Sequence, residues 1–222
     1  MATVVKGWTR RKEARPAEIL EAALALFAEK GFTATKMEDI AKRAGVTTGT
    51  PYRYFANKEE IFKAVVRESL IPQISFGEEM LSQFHGSGQA LLEEVLRSWW
   101  QGVGETNLSG LPKLIIAEAG NFPDLAKFYY EEVIERGVRL IGRVITYGVE
   151  RGDFRPVDVD YTVRVVMAPV IMGMIWKHSL GVCEREPIDT ERYLKTVIEL
   201  LLSGLTQPQQ PANPASLEIP HA

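Results

Sequence analysis

The 222-residue chain predicts an all-α protein, and three observations carry that prediction. Apolar residues recur at three-to-four-residue spacing in segment after segment, the period of a helix with one buried face. No segment shows the two-residue alternation of a half-buried strand, and no internal repeat is present. Prolines and Ser/Thr/Asn/Asp fall where these segments begin, and glycines where they end.

Residues 1–15 are polar and basic with no apolar period, which reads as a flexible arm. Pro16 opens a helix carrying Ile19, Leu20, Ala23, Leu24 and Phe27 inward, and Gly31 closes it. Thr35 to Glu38 has the form of a capping box, in which each end bonds the other's backbone N–H. A short helix comes next with Met37, Ile40 and Ala41 inward. Gly45 ends it, because a left-handed residue is needed there and glycine has no Cβ to clash. Thr47 or Thr48 caps a third short helix reaching Phe55. Asn57 caps a fourth from Lys58, whose apolar set is Ile61, Phe62, Val65 and Val66. Beyond Pro72, helical patterns cover 87–105, 112–118, 123–151, 158–180 and 189–205, with a loop at 102–110. Pro169 predicts a kink in its helix. The total is about nine helices. Residues 207–222 hold four prolines and little to bury, and are expected to be disordered. The organisation is therefore an arm (1–15), a head of three short helices (16–60), a larger helical domain (61–206) and a tail (207–222).

The composition is that of an ordinary globular protein, with 45% hydrophobic residues, 25% charged residues and a net charge of −3. That excludes collagen-like, disordered and disulfide-stapled chains. The charge is unevenly divided. Up to Lys58 there are 11 Lys and Arg against 6 Asp and Glu, a balance of +5, and the remainder carries −8. An acidic total thus hides a basic head, and the local footprint is what matters for nucleic acid. The longest uncharged apolar run, Val165–Trp176, falls short of the roughly 20 residues a membrane span needs, so no membrane contact is expected. The start has no leader pattern, and Cys183 is the lone cysteine, which suits a reducing cytoplasm. His85, His178 and His221 are scattered and show no metal or catalytic spacing. Adjacent acidic pairs such as Glu59-Glu60 point about 100° apart on a helix and cannot share a proton. No enzyme activity, metal or cofactor is expected.

Three short helices with a glycine turn between the second and third form a helix-turn-helix. Ala41 is small where two helices cross, Gly45 makes the turn, and Val46 plugs the core beneath it. The third helix presents Thr48, Thr50, Tyr52, Arg53 and Tyr54, hydroxyls and a guanidinium that bond phosphates and base edges. Either tyrosine could instead pack inward. The run Ile19–Val65 resembles the DNA-binding domain of the TetR/AcrR family of bacterial transcriptional repressors. Gly31-Phe32, Thr35, Asp39-Ile40-Ala41, Ala44-Gly45-Val46, Gly49-Thr50, Tyr52, Tyr54-Phe55 and Asn57-Lys58 carry the resemblance, in order and without gaps.

The resemblance implies that Thr48, Gly49 and Thr50, with Thr47 beside them, start a recognition helix against the major groove. It implies that Thr35, Tyr52, Tyr54 and Lys58 hold phosphates, and Arg53 is able to bond guanine bidentately. Pro51 departs from the family pattern and predicts a recognition helix that starts later or is stiffer. The resemblance further implies a homodimer on an inverted-repeat operator of double-stranded DNA, released by a small apolar or amphipathic effector. Candidate pocket residues are Trp99, Trp100, Phe122, Phe128, Tyr129, Met167, Met172, Met174, Trp176 and His178, the alternative for each being core packing. Candidate dimer residues are Val197, Leu200, Leu201 and Leu205, unless that face packs on its own domain. The other functional reading is a ligand-binding or scaffold protein whose head has lost DNA binding.

Overall fold

In the computed structural model, residues 5–206 are described; the expected tail and residues 1–4 of the arm lie outside them. Ten α-helical segments succeed one another, with no strand among the described residues: α1 (Val5–Lys30), α2 (Met37–Arg43), α3 (Lys58–Val65), α4 (Ile71–Gln83), α5 (Gly88–Trp99), α6 (Leu111–Glu118), α7 (Pro123–Tyr129), α8 (Glu135–Glu150), α9 (Val159–Lys177) and α10 (Thr190–Leu205). The caps expected at Asn57, Asp158 and Asp189 form, and Ser87 supplies one that was not expected. Asn57, Ser87, Asp158 and Asp189 each accept a backbone N–H three residues on.

Two expectations are corrected at the N-terminus. Helix α1 already runs from Val5, so most of the expected arm is helical, and Pro16 lies inside the helix. There its missing N–H removes one bond of the ladder. The box expected at Thr35 and Glu38 does not form, and only one half of such a box is made, one residue later. Asp39 Oδ2 accepts the Lys36 N–H at 3.2 Å, while Lys30 bonds the same carboxylate oxygen at 2.6 Å.

Three segments depart from α geometry in the same way. Val66–Leu70 joins α3 to α4, Tyr130–Ile134 joins α7 to α8, and Trp100–Gly104 extends α5. Each closes with an N–H bonded to the carbonyl five residues back, from Ile71 to Val66, Glu135 to Tyr130 and Glu105 to Trp100. These are π turns, which hold one residue more than an α turn and widen the helix locally. The third occupies part of the expected 102–110 loop, and Asn107–Gly110 is a 3₁₀ turn leading into α6.

The head is α1, α2, the turn after it and α3, with Phe27, Phe32 and Phe62 fully buried in its core. Their ring centroids lie 5.4–6.0 Å apart in tilted and edge-on pairs. In the larger domain α8 is central, packing on α4, α5 and α9, and α10 lies on α5 and α9. The two parts meet where α1 packs against α6 and the Asn107–Gly110 turn. Gly110 suits that approach, because a Cβ there would stand 3.0 Å from the Ala28 Cβ, a contact that closes only if the neighbour gives way by a few tenths of an ångström.

Helix α9 is longer than the uncharged run suggested. By length and composition alone it could cross a membrane, although few of its residues are buried within the chain. Val163, Val166, Val170 and Met174 face the core, while Tyr161, Val165, Ala168 and Met172 form an exposed stripe along the other side.

Candidate functional site

The turn after α2 is built as its chemistry dictates. The Val46 N–H bonds Ala41 O at 3.0 Å and the Gly45 N–H bonds Lys42 O at 3.2 Å, with Gly45 at φ +66°. That is the double bond of a glycine-terminated helix. The helix expected beyond this turn, reaching Phe55, is cut short. Pro51 has no N–H to give Thr47 O, and the Thr50 N–H takes that carbonyl instead, at 2.8 Å. The segment is one 3₁₀ turn, Pro51–Arg53, flanked by turns.

This geometry sorts the candidate DNA residues. Thr47, Thr48, Gly49, Tyr52, Arg53 and Tyr54 are exposed on one end of the head. Neither tyrosine packs inward, Tyr52 being 51% and Tyr54 38% exposed. Arg53 forms no ion pair with any described residue. Three candidates are turned elsewhere. Thr50 is buried, its Oγ1 2.8 Å from Thr47 Oγ1. Thr35 is buried and donates to Gly31 O at 2.7 Å, closing the loop after α1 rather than facing solvent. Lys58 reaches back across the head, donating to Phe32 O at 2.6 Å and Thr35 O at 2.9 Å, with its ammonium 4.3 Å from the Phe32 ring centroid. Burial lowers its pKa, against the pull of Glu59 and Glu118. Its cation holds the 32–35 loop instead of standing free for phosphate.

The larger domain encloses a cavity of about 220 Å³. Of the candidate residues, Trp99, Tyr129 and Met167 line it. The others are engaged elsewhere. Trp100 is buried against Tyr193, with its indole N–H unpartnered. Phe122 stands edge-on to Phe32 at 4.9 Å, and the Arg67 guanidinium covers Phe128 at 4.9 Å. Met172 is 54% exposed, Met174 is in the core, and the Trp176 N–H bonds Glu184. The rest of the wall, which the sequence did not reveal, is mostly aliphatic: Leu70, Ile74, Ile115, Ile116, Ile134, Leu140, Ile141, Val170 and Ile171 among others. All three π turns contribute, through Leu70, Val103, Val133 and Ile134. Ile116 lines the cavity yet is 66% exposed, so the cavity opens beside α6.

Helix α6 also holds the head. Its last residue, Glu118, accepts the Thr33 N–H at 3.0 Å and the Thr33 hydroxyl at 2.9 Å, and Asn121 bonds the same carboxylate. Burial raises the Glu118 pKa, but these hydrogen bonds and Lys58 outweigh it and leave the pKa below its ordinary value. One helix therefore forms a wall of the cavity and grips the loop between α1 and α2.

His178 ends α9 near the same junction. Its Nε2 is 2.7 Å from the buried Ser109 Oγ, which donates to Thr106 O at 2.6 Å. Burial lowers the imidazole pKa, with Lys177 and Lys113 adding to the effect. The unfolded chain, with its ordinary value near 6.5, then takes up the proton first as pH falls. Stability should be full above pH 6.5 and decline as pH drops through 6.5 towards the folded value. Thermal melts from pH 7.5 to 5.5 check this: His178→Gln should flatten the decline, and an unchanged slope would refute the assignment.

On the α10 face, Val197 and Leu205 are buried in the chain's own core, Leu201 is half-buried and Leu200 is 70% exposed. Only Leu200, and Leu201 in part, remain available to a partner.

Comparison with known proteins agrees with this layout. A family model described as bacterial regulatory proteins, tetR family, matches residues 19–65, and one described as a tetracyclin repressor-like C-terminal domain matches residues 85–190. The HTH-type transcriptional repressor KstR2 of Mycolicibacterium smegmatis is 27% identical over 202 residues, covering 86% of this chain and 91% of the relative. The fatty acid metabolism regulator protein of Bacillus subtilis is 24% identical over 197 residues, covering 88% and 98%. The structure of the ketosteroid transcriptional regulator KstR2 of Mycobacterium tuberculosis superposes with a TM-score of 0.70 at 25% identity, covering 87% of this chain and 96% of that one.

Proposed function

Because the chain belongs to the TetR family of bacterial transcriptional regulators, and is a ligand-responsive DNA-binding repressor rather than an enzyme, we propose how its parts divide that work. Two copies pair through α9 and α10 and present two heads to an inverted repeat in the cytoplasm. Thr48, Gly49, Tyr52, Arg53 and Tyr54 face the DNA, with Arg53 as the base-reading side chain. The effector is a mainly hydrocarbon molecule that fills the cavity and shifts α6. Relatives named for fatty acid metabolism and for ketosteroids support that class.

The observation that carries the proposal is the double role of α6, cavity wall at Ile115 and Ile116 and clasp on Thr33 at Glu118. A ligand that displaces the wall changes how the head is held, and its preference for one arrangement bounds the switch. The test is fluorescence anisotropy with DNA from upstream of the protein's own gene, titrated with palmitoyl-CoA and separately with androst-4-ene-3,17-dione. One probe should weaken operator binding about 5–150-fold. An affinity no higher than for unrelated DNA, or unaffected by both probes, would overturn the proposal.

A further inference from the structure

We propose that the Tyr129 hydroxyl is the polar anchor of the cavity, selecting a hydrocarbon ligand with a neutral oxygen acceptor such as a ketone or ester carbonyl, an inference that rests on the effector reading above and deepens it. Tyr129, at the end of α7, lines the cavity and is 5% exposed. Its hydroxyl has no hydrogen-bond partner among the described residues. The hydroxyl is not sealed away from solvent, but it has no partner from the protein, and polar groups on buried side chains are normally paired. A ligand oxygen placed against it would supply the missing partner.

The rest of the wall narrows the ligand's chemistry. No Lys, Arg, His, Asp or Glu is among the lining residues. An ionised carboxylate or phosphate would find no counter-charge inside and must stay outside the mouth beside Ile116. The other polar side-chain group on the wall is the indole N–H of Trp99, which is only half-buried. Burial raises the Tyr129 pKa, so the hydroxyl keeps its proton at neutral pH and donates it. The ring has a second contact, with the Phe62 ring centroid 6.4 Å away. Phe62 belongs to the aromatic core of the head with Phe27 and Phe32. A ligand held by this hydroxyl therefore acts on a ring packed directly against the head.

The experiment uses the full chain and the variant Tyr129→Phe, which keeps the ring contact with Phe62. Each is equilibrated with equal amounts of 2-dodecanone and dodecane on a cyclodextrin carrier, and the bound compounds are extracted and quantified by gas chromatography. The wild type should enrich the ketone over the alkane about fivefold more than the variant does, the scale of one hydrogen bond. The ligand-free variant should melt no lower than the wild type, since the hydroxyl it loses is unpartnered. Equal enrichment by both proteins would overturn the anchor and leave the cavity reading standing. Retention of neither compound by either protein would overturn both.

Discussion

Replacing Tyr52 and Arg53 together by alanine should abolish specific operator binding while leaving the melting temperature unchanged. Both side chains are exposed, and the backbone of their turn is held by bonds among Thr47, Thr50 and Pro51 that neither residue's side chain supplies. A bidentate arginine–guanine pair is worth roughly 1–3 kcal/mol of discrimination, and a dimer loses it at both half-sites. With the tyrosine contacts added, the loss should be on the order of 10²-fold or more, with a shallower dependence on salt. Lys58→Met is the contrasting variant. Removing the ammonium leaves the carbonyls of Phe32 and Thr35 without their donor, so its main effect should be on folding, about 1–2 kcal/mol. Gel-shift titration and thermal melting of both variants decide the matter. Unchanged operator affinity in the Tyr52, Arg53 double variant would remove this turn from the interface, and an unaltered melting temperature in Lys58→Met would remove Lys58 from the loop.

The contrast between these residues marks the boundary between what is local and what is not. Gly45 and the caps at Asn57, Asp158 and Asp189 were legible in the sequence because their chemistry is local, a backbone need met within three or four residues. Pro51 was legible as a disturbance of its helix, since a missing N–H is a fact of one residue, but the reduction of that helix to a single 3₁₀ turn was not. Thr35 and Lys58 were legible as residue types but not as directions. The carbonyls that Lys58 bonds lie 23 to 26 residues away, and only the packing of α3 on α1 brings them within reach. The cavity was hidden for a different reason. Large aromatic and Met side chains drew attention as pocket residues, yet Phe122, Phe128 and Trp176 are engaged with Phe32, Arg67 and Glu184. The cavity wall is mostly aliphatic side chains drawn from several helices, and an apolar period marks such residues as buried without telling which of them leave space between them.

The charge division found in the sequence also gains a mechanical side. The acidic domain also touches the head directly. Through Glu118 it places a carboxylate against the loop of the basic head, and Thr33 and Asn121 hold that carboxylate in place. The bonds are few and partly exposed, so they can be exchanged at modest cost. That suits a joint between two arrangements better than a permanent weld.

Glutamate at both Val165 and Leu200 should convert the protein to monomers and, in consequence, abolish operator binding. The stripe Tyr161, Val165, Ala168 and Met172 has the i, i+4, i+7, i+11 spacing of one helix face, and Tyr161, Val165 and Met172 are 71%, 62% and 54% exposed. On α10, Thr196, Leu200 and Gly204 present an exposed face, with Leu200 at its centre. Helices α9 and α10 pack on one another, so a partner copy covering both would bury both faces. A second copy related by a two-fold axis would meet them with the same faces, giving a four-helix interface. Isolated apolar residues on a surface need no explanation, but a stripe of them along α9 does. Four carboxylates buried at that contact without partners would each cost several kcal/mol, more than a dimer interface can absorb. The wild type should then run in light scattering at about twice the 24.9 kDa chain mass, and the double variant at the chain mass itself. Persistence of the dimer in the variant would remove this surface from the interface. Helix α9 also meets the length and composition of a membrane span, so co-flotation of the wild type with phospholipid vesicles is the second readout. A protein that floats with lipid and stays monomeric in its absence would assign the stripe to the bilayer; one that dimerises and remains with the aqueous fraction assigns it to the partner copy.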